Sequence, residues 1–167
     1  MDALGAGVDI IAVSRMRQVL ENPGSKAFIR KVYTAEEVRR SELKEDSVSF
    51  LARIFAAKEA VFKTFGIAAS EQVQLREVEI REGKFGQPEV VLTGYFAELA
   101  RERRVEKVLL SISYDGEYAI AMAVLQGSVI AAAEPCRKGR KCDQTKYFRR
   151  KQQSPSVELR DLNGVER

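Results

Sequence analysis

The segment Phe55 to Gly66, FAAKEAVFKTFG, constrains the fold of this chain more than any other. Phe55, Phe62 and Phe65 recur at helical spacing with Leu51 and Ile54, so one side of a long helix is an apolar stripe that must pack inward. Ala52, Ala56, Glu59 and Lys63 line up on another side at steps of three and four. Read as an outward column, they set two small residues, which let another chain or a ligand approach the backbone, beside an acid and a base. Glu59 and Lys63 offer a metal ligand and a phosphate contact, or simply an i,i+4 ion pair on a solvated helix.

A second acid stands in an unusual place. LGAGVDIIAV, Leu4 to Val13, is an apolar strand pattern interrupted by one charge, Asp9. A lone acid there either faces water at an edge, is tied to backbone amides, or meets a partner. If Asp9 and Glu59 converge, two carboxylates about 4 Å apart repel by roughly 4 kcal/mol at an effective dielectric near 20. A divalent cation removes that penalty, and ligation by one or two carboxylates with phosphate and water is the manner of Mg2+.

The remaining elements alternate without a repeating βα unit, which indicates an α+β fold. After the first strand comes a short helix from about Ser14, interrupted at Asn22 to Ser25. Thr34 and Glu37 have the spacing of a capping box that opens a helix through about Leu43. Ser47 or Ser49 starts the long helix, and Gly66 stops it. Strands are expected at about Val73 to Ile80 and Glu89 to Thr93, a helix at about Tyr95 to Arg104, and a last hairpin at Lys107 to Tyr114 and Glu117 to Leu125. Asp115 and Gly116 predict a two-residue type I′ turn between those strands.

Charge divides the chain. Residues 1–127 hold 18 basic and 19 acidic side chains, whereas residues 128–167 hold 10 and 5. The domain is therefore expected at 1–127, followed by a basic, flexible extension at 128–167 whose partner is not legible. Cys136 and Cys142 both lie in that extension and make neither a disulfide framework nor a convincing zinc site. No apolar run reaches about 18 residues and no amino-terminal signal pattern is present, so a cytoplasmic location is expected.

GAGVDIIAVSR (Gly5 to Arg15), FLARIFAAKEAVFKTFG (Phe50 to Gly66), FGQPEVVLTG (Phe85 to Gly94) and SISYDGEYAIAMAV (Ser111 to Val124) stand in an order and spacing that resemble the holo-acyl-carrier-protein synthases, the short 4'-phosphopantetheinyl transferases. The resemblance covers about residues 4–125. It implies the 4'-phosphopantetheinyl transferase fold, an antiparallel sheet packed against a long helix, in a homotrimer with sites shared between subunits. It also implies transfer of 4'-phosphopantetheine from coenzyme A to a serine of apo acyl carrier protein, dependent on Mg2+. Asp9 and Glu59 match the family's metal-binding acids, with Glu59 also the base toward the serine, and Lys63 matches its phosphate-binding lysine. Gly66, Pro88 and Ser113 fall in the coenzyme A cleft. Arg15, Phe28 and Lys31 fall where the family docks its acidic carrier.

Three departures accompany the match. Tyr114 stands where many relatives carry histidine, Ile54 holds the usual arginine position with Arg53 displaced by one, and FGIAAS replaces the commoner FGTG loop. The displacement turns the arginine by about 100° around a helix of 3.6 residues per turn. The alternative expectation is a catalytically weakened relative that serves as a binding module for acyl carrier protein or coenzyme A.

Overall fold

The computed structural model describes residues 1–68 and 73–128. The expected extension at 128–167 and the end of the FGIAAS loop therefore lie, apart from Ser128, outside the described residues. Along the chain run β1 (Asp2–Ala12), α1 (Val13–Glu21), α2 (Ser25–Val32), α3 (Ala35–Glu42), α4 (Ser47–Thr64), a 3-10 turn (Leu75–Glu77), β2 (Val78–Glu82), β3 (Pro88–Leu92), α5 (Gly94–Glu102), β4 (Val105–Tyr114) and β5 (Tyr118–Gly127). β1, β5 and β4 form an antiparallel three-stranded sheet in that order, while β2 and β3 pair only with each other. The fold is the expected α+β arrangement, with the long helix packed on an antiparallel sheet.

Side-chain parity decides which face of the sheet meets α4. Gly5, Gly7, Asp9 and Ile11 alternate toward the helix, while Ala6, Val8 and Ile10 point away and are exposed. On β5 the residues Ala119, Ala121, Ala123 and Leu125 are buried between exposed Tyr118, Ile120 and Met122. Opposite them on α4, Ala52, Ala56 and Ala60 are fully buried. The two alanines of the supposed outward column thus face the chain's own sheet. Their small size serves a close helix-on-sheet contact, and a ligand or second chain has no access there. A Cβ on Gly7 would fall 2.3 Å from the Ala60 carbonyl oxygen, and one on Gly5 2.2 Å from that of Thr64. The helix and strand backbones are close enough that only glycine fits.

Two local expectations hold in detail, and two are corrected. The capping box is formed, with Thr34 accepting from the Glu37 amide and the Glu37 carboxylate accepting from the Thr34 amide. α4 begins at Ser47, the earlier of the two expected serines, with Asp46 as its cap accepting from the Ser49 amide at 3.0 Å. The strand expected from Val73 starts only at Val78, since Leu75–Glu77 closes a 3-10 turn first. The last hairpin turns through Gly116 and Glu117, not Asp115 and Gly116. Gly116 has φ +96° and Glu117 has no positive φ, which excludes type I′. Asp115 instead accepts from the Glu117 and Tyr118 amides, which hold its carboxyl below the usual aspartate range. Among the described residues no helix is long and apolar enough to cross a membrane.

Candidate active site

Asp9 is brought to α4 by the parity of β1, two residues along from Gly7, whose missing side chain lets the strand lie against the helix at Ala60 and Thr64. Lys63 lies on the same helical turn and reaches across 54 positions of sequence. Its ammonium donates to Asp9 Oδ1 at 2.8 Å and to the Val8 carbonyl at 3.1 Å. The i,i+4 pair with Glu59 expected from spacing alone is replaced by this longer-range bond. Lys63 stays half in solvent while Asp9 is mostly covered, so the ammonium can turn outward when another anion arrives.

Glu59, one turn before Lys63, completes the group. Burial pushes its carboxyl above the ordinary range, the Asp9 charge adds to the rise, and the Lys63 ammonium opposes it. Lys63 bonds Asp9 and Glu59 stands one helical turn before Lys63, so the two carboxylates lie on one side of α4. They offer a hard, oxygen-only donor pair whose repulsion Lys63 offsets only in part, which fits a divalent cation of the Mg2+ type that fills its other positions with water and phosphate. Among the described residues no group of three or more acids, histidines or cysteines is placed to hold a metal ion.

A basic cavity of about 250 Å3 opens between α4, the β2–β3 hairpin and the end of β4. Arg40, Lys44, Arg53 and Arg81 line it against one acid, Glu82, and Pro88, Ser113 and Tyr114 contribute to its walls. The displaced Arg53 still enters this space. Its guanidinium lies 4.6 Å from the centre of the Tyr114 ring and 5.8 Å from that of Phe50. Gly66 follows α4 with φ +55° and open space around its Cα, so the requirement there is the left-handed conformation that ends the helix.

The residues singled out after the first strand separate. Arg15 on α1 and Lys31 at the end of α2 are exposed, but Phe28 is half-buried. Its ring centre sits 6.0 Å from that of Tyr33 and 5.9 Å from that of Phe55, so it packs on the core and offers only its rim outward.

One charged residue escaped the sequence reading. Lys58, next to Glu59, is fully buried and pairs at 2.8 Å with the equally buried Glu37. Burial pushes the Lys58 ammonium below its ordinary range, an effect that the Glu37 charge opposes. The signal was present in the pattern: Leu51, Phe55, Lys58, Phe62 and Phe65 share helical spacing, so a lysine occupies a position of the apolar stripe.

A long helix across an antiparallel sheet, with Asp9 and Lys63 bonded where they meet and Glu59 one turn away, defines an α+β protein with a mixed acid and lysine site. Residues 5–123 match the family model of the 4'-phosphopantetheinyl transferase superfamily, and the chain belongs to that superfamily. It is 43% identical over 129 residues to the holo-[acyl-carrier-protein] synthase of Verminephrobacter eiseniae, a match spanning 77% of this chain and 97% of that protein. Among solved structures it is similar to holo-[acyl-carrier-protein] synthase from Neisseria meningitidis, with TM-score 0.68, 28% identity, and coverage of 75% and 99%. The ACPS–CoA complex of Chronobacterium ammoniagenes is similar at TM-score 0.66 and 28% identity, covering 77% and 100%.

Proposed function

We propose that this chain transfers the 4'-phosphopantetheine group of coenzyme A to a serine of an apo acyl carrier protein, leaving adenosine 3',5'-bisphosphate. The observation that carries this reading is the Asp9–Lys63 bond with Glu59 one turn away on α4, in a member of this superfamily whose chain also carries a basic cavity. The serine oxygen forms a bond to the phosphorus that bears pantetheine, and the bond from that phosphorus to the bridging oxygen breaks. Asp9 and Glu59 would hold Mg2+, which when bound supplies charge neutralisation and orientation at the pyrophosphate. Glu59, whose raised carboxyl is a better proton acceptor than an ordinary glutamate, takes the serine proton. Lys63 leaves Asp9 and places its ammonium on the departing phosphate. Arg40, Lys44 and Arg53 attract the anionic nucleotide end toward Pro88 and Ser113.

The same reading places carrier docking on Arg15, Lys31 and the rim of Phe28, where exposed cations complement an acidic partner helix. It also assigns the open face of the three-stranded sheet to neighbouring copies in a homotrimer. That face sets Val8 against Met122 and Ile10 against Ile120, four large apolar side chains each at least 40% exposed. The reaction is placed in the cytoplasm, where coenzyme A and carrier proteins meet.

The test is mass spectrometry of apo carrier protein incubated with coenzyme A, Mg2+ and this protein. A gain of one phosphopantetheine mass, lost on adding chelator and lost in Asp9→Ala, Glu59→Ala and Lys63→Ala, is expected. An unchanged carrier mass with every carrier tried refutes the transferase reading.

A further inference from the structure

The β2–β3 hairpin forms one wall of the basic cavity through Ile80, Arg81, Glu82, Gly86 and Pro88, yet its strands share no ladder with the three-stranded sheet. β2 pairs with β3 along one edge, and its other edge points at helices. There the backbone groups that a further strand would satisfy are taken by side chains. The Ile80 amide donates to Glu37 Oε1 at 2.8 Å, and the Ile80 carbonyl accepts from Arg40 at 2.8 Å. Lys58 donates to the Val78 carbonyl at 2.5 Å and to that of Leu75 at 3.2 Å.

At the centre of this edge Lys58 and Glu37 bond each other, and Glu37 also accepts from the amide of Thr34, the cap of α3. Two full charges out of water are an expensive way to join a hairpin to helices, and apolar side chains of similar volume would bury as well. Directional polar bonds do what apolar contact cannot, which is to fix the hairpin's height and rotation against α4. The opposite wall of the cavity, Phe50, Arg53 and Ile54, is carried by that same helix.

We propose that the buried Glu37–Lys58 pair is a positioning element that sets the separation of the two walls of the coenzyme A cleft. The inference rests on the assignment of that cleft given above. Neither residue touches the substrate; both act through the placement of Pro88 and Gly86 against Arg53.

The experiment compares full-length wild type, Glu37→Gln, Lys58→Met and the double variant. The dissociation constant for coenzyme A is measured by calorimetry, the KM for coenzyme A and for apo carrier in the transfer assay, and the melting temperature alongside. Each single variant is expected to weaken coenzyme A binding at least tenfold while the carrier KM stays within twofold. Where a single variant does not fold, the double variant decides, because it leaves no unpaired buried charge. In it the melting temperature recovers toward wild type while coenzyme A binding stays weakened. Binding that recovers together with the melting temperature, or that never weakens, overturns the proposal and reduces the pair to a fold-stabilising role. Wild type that binds coenzyme A but transfers nothing fails the transferase reading and leaves this comparison intact. Wild type that binds no coenzyme A overturns both.

Discussion

Gly7→Ala adds a single methyl group at the contact between β1 and α4. The added carbon would lie 2.3 Å from the Ala60 carbonyl oxygen, 2.9 Å from Lys63 Cβ and 2.9 Å from the Thr64 amide nitrogen. Ordinary contact begins near 3.4 Å, so strand and helix must part by about 1 Å, and two of the three obstacles are backbone that cannot rotate away. Overpacking of this kind costs about 1–3 kcal/mol. For a domain of this size that is a fall in melting temperature of about 4–12 °C. The catalytic consequence is larger, because Asp9 sits two residues from the wedge on the strand while Glu59 and Lys63 ride on the displaced helix. A shift of about 1 Å in such a constellation costs on the order of 10²-fold in rate. Calorimetry and initial transfer rates under saturating substrates check both numbers. Gly116→Ala is the control: it strains a positive φ in open space at the far hairpin turn, so stability falls by about 1–3 kcal/mol and the rate is kept. A Gly7→Ala protein that melts with wild type, or that melts early yet keeps its full rate, refutes the claim that this glycine spaces Asp9 from Glu59 and Lys63.

Lys58→Met alone leaves the Glu37 carboxylate buried without its cation and is expected to cost about 3–5 kcal/mol in denaturant unfolding, most of it regained in Glu37→Gln/Lys58→Met; a double variant no more stable than the single would contradict this. Glu59 has a raised carboxyl in the folded state, so the fold binds its proton more tightly than the unfolded chain does, and stability falls as pH rises from the ordinary glutamate value of about 4.3 through the raised one. Glu59→Gln is therefore more stable than wild type at neutral pH, and the gap closes below about pH 4; a gap that persists in acid would show another cause. Ile10→Glu puts a charge on the open apolar face proposed as the trimer contact and is expected to lower the mass in light scattering from three chains to one, whereas an unchanged mass would show that this face is not the contact.

Much of the site was legible because its signals are local or anomalous. Asp9 stood out as the one charge in an apolar strand, and Glu59 and Lys63 as an acid and a base one turn apart. The capping box at Thr34 needs only a spacing of three. The orientation of the alanine column was not legible, because Ala tolerates burial and exposure alike and its helical spacing does not say which neighbour lies beside it. Lys58 was passed over for a related reason: a lysine in an apolar stripe signals burial only if an acid waits for it, and Glu37 lies far off in sequence and already had a local explanation as a cap. The final turn was misplaced by one residue, since both Asp-Gly and Gly-Glu centre a turn acceptably and the pairing of Tyr114 with Ala119 selects between them.

Periodicity, caps and breakers along the chain were enough to determine the helices, the strands and the acids worth watching, because those properties depend on neighbours within a turn or a pleat. Tertiary contact decided the rest: that Lys63 bonds Asp9 and not Glu59, that the small residues of α4 bury against glycines of β1, and that a two-stranded hairpin is held by a buried ion pair. Such choices depend on strand parity and on distances between segments tens of residues apart, and no local pattern records them.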